Sequence, residues 1–463
     1  MTRYHARWVL PISTAPIADG TVVEREGRIA YVGAREDAPA ASDGPDVELG
    51  DALLLPGLVN THCHLELTAM RGFLDGLEFR EWILRLTHAR RAVLSLEDLL
   101  DASRLGVEEG LRAGVTTFAD TGDSGTGFDA MLERGVRGIC YRETFGPDPA
   151  QTERAVAELR EKVLGMRAHE TPLVRVGVSP HAPYTVSDSL FRATAALAHE
   201  LGFPVAVHIA ESALESQLVV AGAGAFADGL RARGIAIAPR ARSPIALLES
   251  LGVLAADPLL IHCVRVDEPD VRIVAEHRCA VAHCPASNAR LAHGIAPLAD
   301  LLDAGVDVGL GSDSVASNDR MDLLDEARLA LLLATVRAGR VDTLSAARAL
   351  ELATLGGARA LRLEREVGSL EVGKSADLAA FPLGVRARGP THDPAAAAVL
   401  ALAGTPATFV AVAGRVLVRD GTVLHAEPAL AQRVQRAADR LRDWLATPEG
   451  QRATTANSPN PGR

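Results

Sequence analysis

The chain has 463 residues, 48% of them hydrophobic and 23% charged, with 41 glycines and 25 prolines. That is enough apolar material for a large core, and it excludes both a disulfide-stapled miniature and a disordered chain. The net charge of -11, with 46 arginines against the two lysines Lys162 and Lys374, argues against a polyanion-binding surface, so no nucleic acid partner is expected.

The N-terminal stretch Met1-Thr-Arg-Tyr-His-Ala-Arg-Trp-Val-Leu-Pro11 lacks the long apolar segment and cleavage site of a signal peptide. No apolar run of about 18 residues follows it, so a cytoplasmic protein with no membrane partner is expected. Residues 1–56 alternate short β patterns with glycine, as in Gly20-Thr-Val-Val-Glu24 and Gly27-Arg-Ile-Ala-Tyr-Val-Gly33. The same texture returns in 374–425, for example in Ala376-Asp-Leu-Ala-Ala-Phe-Pro382 and Ala407-Thr-Phe-Val-Ala-Val-Ala-Gly-Arg-Val-Leu-Val-Arg-Asp-Gly421. The two ends are therefore expected to meet in one small composite β-sandwich domain.

Between them, over 57–373, short apolar runs alternate with amphipathic segments, the pattern of βα units around a parallel sheet. The strand candidates are Leu53–Val59, Val115–Ala119, Val136–Tyr141, Leu173–Val178, Val205–His208, Leu259–Cys263, Cys279–His283 and Val306–Gly311. Helical stretches include Leu96–Ala113, Ala150–Met166, Asp188–Leu201, Glu268–His277 and Met321–Ala338. Eight such units predict an α/β fold, a (β/α)8 TIM barrel, whose reactive groups belong at the strand ends that converge on one mouth. A C-terminal helix is expected over 426–446 and a disordered tail over 447–463. The five cysteines, Cys63, Cys140, Cys263, Cys279 and Cys284, have no CxxC spacing and read as buried small hydrophobes.

The strand ends carry the chemistry. The first strand candidate runs into His62-Cys-His64, where residues i and i+2 of an extended chain project to one side and both imidazoles reach one ion. Later candidates deliver His208, His262 and His283, and the eighth ends at Gly311-Ser-Asp313. One histidine at a strand end is more often a hydrogen-bonded core residue. Five of only 14 histidines at convergent positions are hard to credit to packing.

These residues stand in Leu55-Pro-Gly-Leu-Val-Asn-Thr-His-Cys-His64, Ser179-Pro-His-Ala-Pro-Tyr-Thr-Val-Ser187, Val207-His-Ile-Ala-Glu211, Ile261-His-Cys-Val264, Ala282-His-Cys-Pro-Ala-Ser-Asn288 and Gly309-Leu-Gly-Ser-Asp-Ser-Val-Ala-Ser-Asn318. The set resembles the amidohydrolase superfamily, in its aminohydrolase branch of cytosine, guanine, adenosine-type and triazine-ring deaminases and chlorohydrolases. The resemblance covers residues 1–425, in family order. It implies one divalent metal ion, Zn2+ or in some relatives Fe2+, held by His62, His64, His208 and Asp313, with Glu211 and His262 completing the catalytic set beside Asp313. Two-metal relatives bridge their ions with a carboxylated lysine at a strand end. Lys162 lies in a helical stretch and Lys374 beyond the barrel, so a single ion is expected.

In the implied chemistry the ion lowers the pKa of a bound water toward about 7. Glu211, three residues after His208, then moves a proton from that water to a ring nitrogen of the substrate. Asp313, as ligand and base, and His262, as hydrogen-bond donor, orient the nucleophile and stabilise the tetrahedral intermediate, and ammonia leaves. A helix-terminal carboxylate is the plain alternative for Glu211, and a turn aspartate for Asp313.

The segment His64-Leu-Glu-Leu-Thr-Ala-Met-Arg-Gly72, followed by Phe79-Arg-Glu-Trp82, resembles deaminases of modified adenosines, 5′-substituted ones and the 6-aminodeoxyfutalosine of menaquinone biosynthesis, with the wording nearer the latter. His181 is placed against the remote part of a small-molecule substrate, and His283 and Asn288 either line the pocket or order its loop. Arg71, Arg142 or Arg290 would meet a benzoate, and Trp82 and Phe79 cover the pocket or anchor a helix. Rival readings are a triazine chlorohydrolase or aminohydrolase, a guanine- or cytosine-type deaminase and, from another class, a non-catalytic metal-binding scaffold. A homodimer is left open.

Overall fold

The structure, a computed structural model, describes residues 1–40, 44–384 and 391–452. The N-terminal strands are β1 (Thr2–Val9), β2 (Ile17–Arg25), β3 (Arg28–Ala34), β4 (Asp46–Glu48) and β5 (Ala52–Pro56). Next come β6 (Leu58–Cys63), β7 (Val115–Gly122), β8 (Arg137–Thr144), β9 (Val174–Pro180), β10 (Ala206–Ile209), β11 (Leu259–His262), β12 (Ala280–His283) and β13 (Val308–Leu310), with helices between them. The C-terminal strands are β14 (Leu378–Pro382), β15 (Phe409–Val412), β16 (Arg415–Arg419) and β17 (Thr422–Val423).

The middle strands form two four-stranded parallel sheets in chain order, β6-β7-β8-β9 and β10-β11-β12-β13. Isolated parallel bridges, Val178 to Val205 and Cys63 to Asp313, join them at both seams. Nearly every residue of these strands is buried, as expected of parallel strands covered on both faces. The helices follow their sequence signals closely. Asp188–Leu201 starts where the Ser187 hydroxyl accepts from Leu190 N and stops at Gly202, whose φ of +69° suits glycine.

The first strand candidate is corrected. Leu53–Val59 is two strands: β5 pairs with β14 and β1, whereas β6 pairs with β7. The handover falls at Gly57, whose N–H donates to Asp377 O and where a Cβ would lie 2.1 Å from Thr116 Oγ1. An unbroken apolar run carries no sign of which sheet each half joins.

The chain ends meet in one nine-stranded sheet, ordered β17-β16-β15-β14-β5-β1-β2-β3 with β4 beside β1. The expected sandwich is thus a single sheet that bends back on itself. Ile29 N donates to Lys374 O and Ala376 N to Gly27 O, both at 2.8 Å, and Tyr4, Val22, Ile29, Leu378 and Phe409 share one core. Alternating patterns read alike in either arrangement, so only the pairing distinguishes them. The helix Leu430–Leu445 follows, and a short helix, Pro448–Arg452, occupies the start of the expected tail. The remainder of that tail, 453–463, lies outside the described residues. Among the described residues no helix is long and apolar enough to cross a membrane.

Ile139 and Tyr141 of β8, Ala206 of β10, Ile261 of β11 and Ala282 of β12 share a buried apolar cluster. Two residues further along the same faces stand Glu143 and His208, so the strand faces change from apolar to polar toward their C-terminal ends.

One buried ion pair ties the parallel sheets to the nine-stranded sheet. Arg137 of β8 reaches Asp377 through Nε at 3.0 Å and Nη2 at 3.2 Å, and Nη2 also donates to Ser375 Oγ at 2.8 Å. Removing the cation leaves the Asp377 charge buried beside Ser375 and Ala413 N. Arg137→Met is therefore expected to lower unfolding stability by about 3 kcal/mol, measured by urea denaturation.

Candidate active site

The polar strand ends gather six of the side chains singled out in the sequence. His62 and His64 come from the end of β6, His208 from β10, Glu211 from the turn after it, His262 from β11 and Asp313 from the turn after β13. His62, His64 and Asp313 bring one ligand atom each to within 4.8 Å of one another, and so do His62, His208 and His262. The backbone is bent to achieve this. Ala210, His262, Cys263 and Asp313 have φ of +51°, +77°, +46° and +55°, a region that residues bearing a Cβ avoid except where the surroundings enforce it.

The rings of His64 and His262 are fixed from behind, whereas His208 Nδ1 is buried without a hydrogen-bond partner. His64 Nδ1 lies 2.8 Å from the Thr121 carbonyl oxygen, which can only accept, so the neutral ring carries its proton there and presents a lone pair at Nε2. That Nε2 lies 3.5 Å from Asp313 Oδ1, and His62 Nε2 lies 3.2 Å from the same oxygen. His62 Nε2 is buried without a hydrogen-bond partner. Asp313 itself is held by Ser314 N on Oδ1 and by the Ser287 and Ser317 hydroxyls on Oδ2.

Charge follows burial. Burial pushes the imidazoles of His62, His64, His208 and His262 below their ordinary range, His208 furthest, with neighbouring imidazoles adding to the effect there. Burial works against the Asp313 carboxylate, but His62, His262 and His64 outweigh it and hold the carboxyl well below the usual range. Neutral imidazoles, with that of His64 presenting a lone pair, gathered around an ionised carboxylate are the electronic form of a borderline divalent cation site, and the residues fit such an ion.

Glu211 adjoins this cluster. Its Oε1 lies 3.6 Å from His262 Nε2 and 3.2 Å from His293 Nε2, and Oε2 is 3.5 Å from the Tyr184 hydroxyl. Burial pushes its carboxyl up, but His262 and His293 bring it below the ordinary value. The turn is clamped by Glu215, whose carboxylate accepts from Ala210 N and Glu211 N, each at 2.8 Å. Burial pushes the Glu215 carboxyl up to about 8.

The remaining candidates divide. His181 joins the cluster rim, its ring 4.8 Å from that of His208 and its Nδ1 at 2.8 Å from Thr185 Oγ1; burial pushes it down to about 3. Asn288 Oδ1 holds His262 Nδ1 at 3.0 Å. His283 is buried with Nδ1 unpartnered, and burial, with the neighbouring His262 imidazole adding to the effect, pushes it down to about 4. Trp82 is packed into the apolar cluster of Leu86, Leu441 and Trp444, with Phe79 between it and the site, edge-on to His293. Arg71 forms an ion pair with Glu109. Arg142 lies beside Gly125, on the strand face opposite to Glu143.

Two residues were missed. Glu143 is buried with Oε1 unpartnered, 4.0 Å from both His181 Nε2 and His208 Nδ1. Extending the candidate Val136–Tyr141 to its true end at Thr144 would have placed it at a strand end beside the others. His293 sits in an irregular loop, and no periodic signal marks it.

Residues 53–417 match the amidohydrolase family. The chain belongs to that family. It is a hydrolase acting on carbon–nitrogen bonds, and a divalent metal suits both the family and the donors above. This amidohydrolase is 35% identical over 434 residues to the 5-methylthioadenosine/S-adenosylhomocysteine deaminase of Moorella thermoacetica, spanning 92% of this chain and 97% of the relative. The crystal structure of an adenosine deaminase from Xanthomonas campestris with bound zinc overlays with a TM-score of 0.83 at 29% identity, covering 96% of this chain and 98% of that one. The zinc complex of an atrazine chlorohydrolase from Arthrobacter aurescens gives a TM-score of 0.81 at 26% identity, covering 95% and 100%.

The donor set makes metal content separable by position. His62→Ala and Asp313→Ala are expected to strip divalent metal from the purified amidohydrolase by elemental analysis, whereas His283→Ala keeps it.

Proposed function

We propose that this amidohydrolase removes the exocyclic amino group of an adenine-bearing nucleoside, a 5′-substituted adenosine, and releases ammonia. The observation that carries the reading is the Glu211 carboxylate, buried beside His262 and within the turn that follows His208, because deaminating an aromatic amidine needs a group that protonates a ring nitrogen. The deaminase activity named for the Moorella thermoacetica relative, aligned along 92% of this chain, supports the adenine nucleoside.

In this reading the two parallel sheets are one closed (β/α)8 barrel, supported by the bridges at both seams. His62, His64, His208 and Asp313 hold one ion, zinc in preference to ferrous iron. When bound, the ion would supply a Lewis acid that lowers the pKa of a water toward about 7.

The chain's own groups do the rest. Glu211 takes a proton and passes it to the purine ring nitrogen. His262, fixed through Nδ1 by Asn288, and Asp313, fixed by Ser287 and Ser314, orient the attack on the amino-bearing carbon. His181 and Glu143 adjoin His208, and the sugar portion is assigned to their side. Phe79, Tyr184 and Phe226 pack against one another near Glu211 and keep bulk water from the reacting centre.

The arginines considered for a carboxylate-bearing substrate are placed otherwise: Arg71 pairs with Glu109, Arg290 with Asp319 and Asp75, and Arg142 faces away from Glu143. A 5′ substituent without a carboxylate is therefore preferred over 6-aminodeoxyfutalosine.

The test is ammonia release from 5′-methylthioadenosine, 5′-deoxyadenosine, adenosine, 6-aminodeoxyfutalosine, guanine and aminotriazines by the metal-loaded protein. Turnover of adenine nucleosides is expected; release only from triazines or guanine refutes the reading. Glu211→Gln is expected to lower kcat by roughly 10²–10⁴-fold with metal content unchanged, and full activity in that variant removes Glu211 from the mechanism.

A further inference from the structure

Two imidazoles converge on one oxygen of Glu211, and they are not equivalent. His262 Nδ1 lies 3.0 Å from Asn288 Oδ1, an oxygen that only accepts. The neutral ring therefore has its proton on Nδ1, and its Nε2, 3.6 Å from Glu211 Oε1, presents a lone pair rather than a donor. His293 Nε2 is closer, 3.2 Å from the same oxygen, and it is buried with its hydrogen-bonding capacity unmet. Of the two rings, only His293 can donate to Oε1 while neutral.

The chain is built to deliver that ring. His293 follows the helix Pro285–Arg290, and its N–H donates to the Asn288 carbonyl at 2.9 Å. The same Asn288 thus orients His262 with its side chain and His293 with its backbone. Ala292 and Gly294, on either side, have φ of +57° and +113°, a left-handed bend that residues with a Cβ avoid unless the surroundings require it. The imidazole is 3% exposed and meets the Phe79 ring edge-on, with centroids 4.6 Å apart. On the other oxygen, Oε2, the hydroxyl of Tyr184 at 3.5 Å is a long contact.

We propose that His293 is a positioning residue, whose Nε2–H pins Oε1 of Glu211 and so leaves Oε2 as the oxygen that takes up and delivers the proton. This rests on the role of Glu211 in the deaminase reading. A carboxylate anchored through one oxygen has its other oxygen pre-aimed, which removes a rotational search from the proton transfer.

Three measurements test it. In metal-free protein with 15N-labelled histidine, NMR should show His293 as the Nε2–H tautomer, assigned by its loss in His293→Gln; the Nδ1–H tautomer overturns the proposal. In the metal-loaded protein, His293→Leu should lower kcat roughly 10- to 100-fold with KM nearly unchanged. His293→Gln, whose amide nitrogen is near the position of Nε2, should recover most of the loss, and all three proteins should carry equal metal. Unchanged kcat in His293→Leu, a Gln variant as slow as the Leu variant, or metal loss in both assigns His293 no role in aiming Glu211. Native protein that deaminates no adenine nucleoside refutes the deaminase reading instead, and the NMR measurement still judges the His293–Glu211 contact.

Discussion

The site depends on an electrostatic conflict that a cation resolves. His62 Nε2 and His64 Nε2 both face Asp313 Oδ1, at 3.2 and 3.5 Å, in a place almost shut off from water. The Thr121 carbonyl on His64 Nδ1 forces that ring to present a lone pair. Buried acceptors without donors are expensive, and a divalent ion is the compact way to satisfy several at once. The clustering of His208 and His262 against the same rings extends the same logic around the mouth.

Holding these groups together strains the backbone, and the surrounding hydrogen bonds offset the strain. The left-handed turn at Ala210 is clamped by the Glu215 carboxylate, and the turn at Asp313 is tied by its N–H to the His62 carbonyl at 2.9 Å. His262 carries the largest positive φ of the four bent positions, +77°, and is the one gripped by Asn288. Residues outside the histidine–aspartate cluster thus set the geometry around Glu211: Glu215 fixes the turn that bears it, and Asn288 fixes the ring that faces it.

The nine-stranded sheet has a supporting role. It takes up β5, directly before the His62–His64 strand, and closes over the opposite end of β8 through Arg137 and Asp377. With Gly57 admitting Thr116 at close quarters, β6 is anchored at its start, and His62 and His64 are carried at its end. The two regions are therefore mechanically linked although the chemistry lies in one of them.

The βα rhythm, the helix bounds near Asp188–Leu201, the gathering of β ends from both termini and the metal-type residues at strand ends were all legible along the chain. Each of these is local: a hydrophobic period, a cap or a residue type repeated at the same place in a unit. Tertiary structure decided what local pattern does not encode. The division of Leu53–Val59 between two sheets and the single bent sheet in place of a sandwich both follow from pairing partners far along the chain. His293 is the clearest case, because its loop has no period and its role exists only where Glu211, brought by another strand, presents an oxygen to its ring.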